Sequence, residues 1–192
     1  MGRPKLLLPL AGSTVIGRLL SVLARPEIVE TVVVMRPGDE SLRTAVEAAG
    51  AVPLMPAVAP AEMRVSVEHA LRHLQRRHEP SPDDGWLLAP ADHPLLEPMI
   101  LDRIIATWSC SPGKIVIPAH KGRRGHPAVF PFRLAEEVFR LAADGGLNAL
   151  VRCHAREVEQ IEVDSTAVLV DLDTPEDYQR LQADRTGSTK QG

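Results

Sequence analysis

The sequence predicts an α/β fold, a three-layer sandwich in which helices cover both faces of a mostly parallel sheet. Short β-branched runs such as Val32–Val34 alternate with longer stretches in which apolar residues recur at helical spacing, as in 62–75. With 192 residues, 44% of them apolar, the chain can bury one large core. We therefore expect one domain over residues 1–182 and a polar, disordered tail over residues 183–192.

Each element has its own sequence signal. Strands are predicted at 32–34, 51–54, 86–89, 115–117, 158–163 and 168–170, and helices at 40–49, 62–75, 99–108, 134–141, 147–155 and from 175 onwards. Asp39 and Thr174 are suited to cap the helices that they precede, and Pro175 fits a first helical position. The stretch 114–130 breaks the alternation, because the turn at 121–125 separates two extended segments. We expect an inserted β-hairpin there.

The composition excludes several classes of function. Charged residues make up 24% of the chain and the net charge is -3, so the basic excess of a nucleic-acid or anionic-lipid binder is absent. No apolar run reaches the roughly 20 residues that span a bilayer. Cys110 and Cys153 lie too far apart for a metal knuckle or a disulfide framework. We expect a cytoplasmic protein that binds a small molecule, with no nucleic-acid or membrane partner.

Two aspartates follow predicted strands, the position at which open parallel sheets bind ligands. Asp92 lies between prolines in residues 90–94, with His93 placed to support it, and Asp173 directly follows the apolar run 168–172. Two such carboxylates can jointly hold Mg²⁺, whose remaining sites are filled by phosphate oxygens and water. The spacing leaves the alternatives open that Asp92 is a loop acid and that Asp173 helps to cap the last helix.

Several short stretches together resemble the MobA-like nucleoside triphosphate transferases, particularly the branch of molybdenum cofactor cytidylyltransferases. In chain order these stretches are residues 1–7, 63–67, 90–94, 125–127, 144–146 and 172–178. They occur in the family's order over nearly the whole chain. The resemblance implies a Rossmann-like sheet of the nucleotide-diphospho-sugar transferase type.

The resemblance also implies an activity and the residues for it. A nucleoside monophosphate, CMP in this branch, would move from a nucleoside triphosphate to a phosphorylated acceptor such as the molybdopterin cofactor, with release of pyrophosphate. Lys5, Asp92 and Asp173 would be catalytic, with Lys5 against the triphosphate and both carboxylates on Mg²⁺. Lys5, Ser66 and Asp92 would contact the nucleotide. Without the resemblance, a lysine such as Lys5 is more often a solvated residue near the terminus.

The acceptor side is implied by the Gly-His-Pro motif, which consists of Gly125, His126 and Pro127. A histidine at such a position, considered alone, is more often a surface residue than a ligand. The stretch 144–146 departs from the family's pattern, because Asn148 stands where a basic residue is expected. The sequence therefore supports an acceptor site at residues 125–127 more strongly than a phosphate clamp at 144–148.

The family's first motif opens with a strand and a glycine-rich loop, and this chain begins inside that motif. We therefore expect an opening in the sheet between the strands at 32–34 and 86–89, and little or no turnover by the chain alone. Two other functions stay open. One is transfer to a sugar phosphate or an isoprenoid precursor, and the other is a non-catalytic role as a partner in the maturation of molybdenum hydroxylases.

Overall fold

The computed structural model describes residues 5–142, 145–172, 174 and 176–181. Its helices are α1 (Val15–Leu23), α2 (Glu40–Ala48), α3 (Met63–His78), α4 (Pro98–Cys110), α5 (Ala135–Arg140) and α6 (Leu147–Cys153). Its strands are β1 (Pro9–Leu10), β2 (Ser13–Thr14), β3 (Val32–Val34), β4 (Val52–Leu54), β5 (Gly85–Leu88), β6 (Ile115–His120), β7 (Arg123–Arg124), β8 (Ala128–Pro131) and β9 (Val158–Glu162). Short 3-10 helices span Lys5–Leu7, Phe132–Leu134, Ala155–Glu157 and Thr166–Val168. The predicted tail at 183–192 lies outside the described residues.

The strands confirm a mixed α/β fold with an inserted hairpin. In the larger sheet, β5 and β6 both pair antiparallel with β8, and β9 pairs parallel with β6. β5, β6 and β9 therefore run in one direction, and β8 runs against them. The short strand β7 folds back on the end of β6, where the sequence predicts the hairpin turn. β3 and β4 form a separate parallel pair.

The sequence predicts an opening between these two sheets. Within the described ranges, β3 pairs only with β4 and β5 pairs only with β8, so each has one edge without a strand partner. Val33 of β3 and Leu87 of β5 pack against the same apolar cluster, which places the two strands on one core. Unpaired backbone groups on a strand edge are available to bind another strand.

Contacts near the end of helix α3 show how this helix runs relative to β3. Near its end, His73 and His78 contact the carboxylate of Glu30, just before β3 begins, with Nε2 to Oε2 distances of 3.0 and 3.3 Å. The C-terminal end of α3 therefore lies at the amino end of β3. Its first turn, which contains Ser66, lies at the carboxyl edge, where parallel sheets bind ligands.

The β1–β2 hairpin and α1 were not predicted from the sequence. The hydroxyl of Thr14 caps α1 by accepting a hydrogen bond from the Gly17 N–H at 3.1 Å. One face of this helix is buried in the main core, through Ile16, Leu19, Leu20 and Leu23. The helical spacing of these side chains is the sequence signal that could have identified α1.

The strand predicted at 168–170 is wrong. In the structure Thr166–Val168 is a 3-10 helix, in which the Ser165 hydroxyl accepts a hydrogen bond from the Ala167 N–H at 3.2 Å. Ala167 and Val168 are buried by packing of this turn and not by strand pairing. The apolar run reflects burial alone, which periodicity cannot assign to a strand over such a short length.

The predicted caps are confirmed where they are described. The Asp39 carboxylate accepts a hydrogen bond from the Leu42 N–H at 3.1 Å at the start of α2. Thr174 and Asp177 bond reciprocally, because the Asp177 N–H donates to the Thr174 hydroxyl at 3.1 Å and the Thr174 N–H donates to the Asp177 carboxylate at 2.8 Å. Pro175 lies outside the described residues. No helix in the part of the chain described here is long and apolar enough to span a bilayer.

Candidate active site

A lysine and an aspartate meet at the carboxyl edge of the larger sheet. Lys5 opens the first 3-10 helix, and its Nζ lies 3.0 Å from Oδ2 of Asp92, which follows β5. Each side chain retains 30% exposure, so both groups are accessible to a ligand from solvent. The two residues are 87 positions apart in sequence. The structure thus joins two of the three residues predicted to be catalytic.

The backbone also holds Asp92 in place. The Leu172 N–H donates a hydrogen bond to the Asp92 carbonyl at 3.0 Å, and the His93 N–H donates to the Pro90 carbonyl at 3.2 Å. The loop that carries Asp92 is therefore attached to the segment that ends at Leu172. Asp173, the third predicted catalytic residue, lies outside the described residues.

Two histidines pack behind Asp92. The rings of His93 and His126 meet edge to face, with centroids 5.4 Å apart, and His93 is only 9% exposed. Burial, followed by the charge of His93, lowers the pKa of His126 below its ordinary value of 6.5, while a hydrogen bond with the Leu88 backbone and the charge of Asp92 oppose that shift. The lowered pKa favours the neutral imidazole of His126 at pH 7. Its Nδ1 is buried without a hydrogen-bond partner in the described part of the chain.

Gly125 permits the close approach that brings His126 to this position. The Gly125 N–H donates to the Pro118 carbonyl at 2.8 Å, and the His126 N–H donates to the Val168 carbonyl at 2.9 Å. A Cβ atom added at Gly125 would lie 2.2 Å from that same Val168 oxygen. Pro127 follows through a cis peptide bond. The predicted Gly-His-Pro motif thus lies beside the loop of Asp92.

Gly125→Ala is expected to destabilise the protein, because its methyl group would collide with backbone that cannot rotate away. We expect the free energy of unfolding to fall by about 3 kcal/mol, the upper end for overpacking, in urea denaturation. Gly146→Ala is the matched control, since a Cβ there meets no atom within 4 Å and its φ of -87° suits alanine. Equal losses in the two variants would contradict the close approach at Gly125.

Ser66 is the further residue predicted to contact the nucleotide. It lies in the first turn of α3, where its N–H donates to the Glu62 carbonyl at 3.3 Å. Among the described residues, no hydrogen bond connects Ser66 with Lys5 or Asp92. A role for Ser66 in nucleotide binding stays a prediction. Asp144, from the stretch 144–146, lies outside the described residues.

A surface cavity of about 840 Å³ has neither Lys5 nor Asp92 among its lining residues. It is formed by the β1–β2 hairpin, α1 and α2, and small side chains such as Gly17, Ser21, Ala45 and Ala48 line it. No charged side chain among the described residues lines this cavity, so it offers no charged partner to a triphosphate. Charge, and not cavity size, therefore identifies the edge at Asp92 as the candidate site.

The donors at the edge suit a hard divalent cation. No three histidine, cysteine or acidic side chains among the described residues converge into a complete metal cage. Mg²⁺ does not need such a cage, because it usually takes one or two protein carboxylates and fills its other positions with phosphate oxygens and water. A half-exposed Asp92, tied to the residue before Asp173, fits that pattern.

Several residues that hold this site were not found from the sequence. The Arg18 side chain reaches from α1 to the Pro94 carbonyl, with an Nε to oxygen distance of 3.5 Å. The Val168 carbonyl and the Leu172 N–H act through the backbone. Backbone groups have no signature in the sequence, and only the tertiary fold shows which ones meet the site.

A sequence profile described as the MobA-like NTP transferase domain matches residues 1–161. The chain belongs to this family. Its edge site therefore belongs to a nucleotidyltransferase domain. No curated protein matches the sequence.

Solved structures are similar over almost the whole chain. Rv0371c from Mycobacterium tuberculosis H37Rv is 29% identical, with 95% of this chain and 91% of that chain aligned and a TM-score of 0.79. A structure of Rv0371c in complex with manganese aligns over 93% of this chain and 90% of that chain, with the same identity and a TM-score of 0.73. A structural neighbour of this MobA-like domain therefore binds a divalent metal.

Two more distant structures share the fold. Molybdopterin-guanine dinucleotide biosynthesis protein A from Archaeoglobus fulgidus is 20% identical, with 97% of this chain and 92% of that chain aligned and a TM-score of 0.66. A CMP:2-keto-3-deoxy-manno-octonic acid synthetase complexed with CTP is 14% identical, with coverages of 96% and 92% and a TM-score of 0.72. At these identities the similarity concerns the fold alone.

Proposed function

We propose that this MobA-like domain transfers CMP from CTP to a phosphorylated acceptor such as molybdopterin cofactor, with release of pyrophosphate. The ion pair between Lys5 and Asp92 at the carboxyl edge carries the proposal, because it pairs a phosphate-binding cation with a metal-binding carboxylate. The residues behind it, His93 and His126, belong to the loop and motif predicted for this chemistry. A reaction that consumes CTP is expected in the cytoplasm.

In the proposed reaction, a phosphate oxygen of the acceptor attacks the α-phosphorus of CTP. A new oxygen–phosphorus bond forms there, the bond to the β-phosphate bridging oxygen breaks, and pyrophosphate leaves with that electron pair. No covalent intermediate on the protein is needed, since positioning and electrostatics supply most of the catalysis in such transfers. The charged groups at the edge would supply the electrostatic part of this role.

Each residue has a distinct part in the proposal. Asp92 and Asp173 would hold Mg²⁺, which when bound neutralises charge on the phosphate oxygens. The Lys5 ammonium would move from the Asp92 carboxylate to the triphosphate and balance the charge on the departing pyrophosphate. Ser66, from the first turn of α3, would contribute a hydroxyl to nucleotide binding.

The acceptor would bind at the Gly-His-Pro motif. Because burial lowers its pKa, His126 would act there as a neutral hydrogen-bonding group and not as a cation. Gly125 and Pro127 set the path of its backbone, so they would shape the acceptor side without touching the reacting atoms.

An unfilled gap between β3 and β5 would favour a second candidate function. If no strand fills it, the nucleotide side is incomplete, and the protein would serve as a non-catalytic partner for a molybdenum hydroxylase through its acceptor side. The two candidates differ in nucleotide binding, because only the enzyme requires a bound triphosphate.

Calorimetric titration with CTP and GTP in the presence of Mg²⁺ tests the proposal. The titrations use the chain and an extended version in which an apolar strand and a glycine-rich loop from a family member precede Met1. We expect the extended version to bind CTP at least about tenfold more tightly than GTP, a difference of about 1.4 kcal/mol. Equal or reversed affinities would contradict the cytidylyl specificity, and no binding by either version would favour the non-catalytic role.

A further inference from the structure

A single segment crosses the carboxyl edge and contacts both parts of the candidate site. We call residues 163–172, which follow β9, the edge segment. At its start, the Val163 N–H donates to the Ala119 carbonyl at 2.7 Å, and His120 Nδ1 lies 2.9 Å from the Val163 carbonyl. These bonds attach the segment to the end of β6.

Farther along, the edge segment binds the two functional loops through its backbone. The Val168 carbonyl accepts the His126 N–H at 2.9 Å, and the Leu172 N–H donates to the Asp92 carbonyl at 3.0 Å. His126 belongs to the proposed acceptor side, and Asp92 belongs to the proposed metal side. The position of one loop relative to the other therefore depends on the course of residues 168–172.

One side chain from outside the edge segment, that of Glu97, holds this course in place. The Ser165 hydroxyl donates to the Glu97 carboxylate, and the same hydroxyl oxygen accepts the Ala167 N–H at 3.2 Å. Among the described residues, this is the one hydrogen bond from a side chain of the edge segment to a residue outside it. Glu97 directly precedes α4, yet its side chain makes no capping bond to that helix. Its carboxylate is instead used to hold Ser165.

We propose that Ser165 and Glu97 are positioning residues that set the separation between His126 and Asp92. The hydrogen bond is charge-assisted and partly buried, which makes it stronger than a bond between neutral groups. Without it, the turn at residues 165–168 loses its side-chain attachment to Glu97, while the bonds at Val163 remain. The consequence for turnover rests on the proposed function, because misplacing a reacting group by about 1 Å costs up to about a hundredfold in rate.

Hydrogen exchange of individual amides tests the attachment without any assay of activity. In Ser165→Ala we expect the His126 and Leu172 amides to exchange at least about tenfold faster, while the Val163 amide keeps its protection. Ser165→Thr keeps the hydroxyl and should restore slow exchange. Ser109→Ala is the matched control, because the Ser109 hydroxyl bonds only within α4, to the Ile105 carbonyl at 2.9 Å.

Pyrophosphate release by the same variants, made in the extended version, tests the positioning role. We expect Ser165→Ala and Glu97→Gln to lower kcat at least about tenfold and to leave the KM for CTP nearly unchanged, because they move the two loops relative to each other. Unchanged exchange at His126 and Leu172, or faster exchange that includes Val163, would overturn the proposal. Faster exchange at His126 and Leu172 with an unchanged kcat would also overturn it. Absence of turnover in the parent protein would contradict the proposed function instead, and the exchange pattern would still decide whether Ser165 and Glu97 hold the two loops.

Discussion

The extended version, with an apolar strand and a glycine-rich loop before Met1, is expected to unfold at a temperature on the order of 10 °C higher than the chain alone. Two large apolar side chains buried between β3 and β5 would contribute about 3–6 kcal/mol, against a total stability of about 5–15 kcal/mol. Backbone hydrogen bonds to both unpaired edges would add to this gain. Thermal unfolding followed by circular dichroism measures the difference.

The same extension is expected to raise pyrophosphate release at least about a hundredfold with CTP, Mg²⁺ and molybdopterin. The physical reason is alignment, because backbone N–H groups of a glycine-rich loop cradle a triphosphate and orient its α-phosphorus. A control extension of equal length, with lysine and glutamate in place of the apolar strand residues, should give neither gain. Comparable melting points and turnover for the chain and the extended version would contradict the expectation that an added strand and glycine-rich loop complete the fold and the site.

Asp92→Asn in the extended version is expected to lower kcat at least about a hundredfold and to leave the melting temperature within a few degrees. The substitution keeps the shape of the side chain but removes the charge proposed to hold the metal. The ion pair with Lys5 contributes little to stability, because each side chain is 30% exposed and such pairs are worth about 0.2–1 kcal/mol. Steady-state pyrophosphate release and thermal unfolding separate the two effects.

Asp102→Asn provides the matched control. The Asp102 carboxylate also pairs with a basic side chain, since the Arg25 Nε lies 2.8 Å from its Oδ1, but it belongs to α4 and not to the edge site. We expect full turnover from this variant. A loss of turnover in Asp102→Asn as large as that in Asp92→Asn would mean that any lost surface charge impairs the protein, and Asp92 would have no special role.

The sequence predicted α2 to α6 and most strands, but it missed α1 and misassigned the run at 168–170, for a physical reason. In α3 and α4, apolar side chains recur over several turns, so the helical signal is repeated, and the Asp39 cap marks the start of α2. The run at 168–170 is too short for such redundancy, and its apolar side chains are buried by a 3-10 turn. The alternation of strands and helices was therefore enough to predict the α/β class. The apolar run at 168–170 was wrongly assigned to a strand.

The sequence identified only those residues of the candidate site whose side chains lie in short motifs. Asp92 and His126 were found because each lies in a short motif that follows or begins a predicted strand. Ser165 and Glu97 were not found, because they are 68 residues apart and neither belongs to a recognisable motif. The backbone groups of Val168 and Leu172 could not be found from sequence at all. The fold determines these contacts, through the course of the edge segment.

The most direct test of the metal role of Asp92 is a titration with Mn²⁺ followed by electron paramagnetic resonance, in the presence of CTP. The extended version should bind one Mn²⁺ per chain, and Mg²⁺ should displace it, because both are hard cations that prefer oxygen ligands. Asp92→Asn should weaken Mn²⁺ binding at least about tenfold, whereas Asp102→Asn should leave it unchanged. Equal Mn²⁺ affinities in the parent protein and Asp92→Asn would contradict the assignment of Asp92 as a metal ligand.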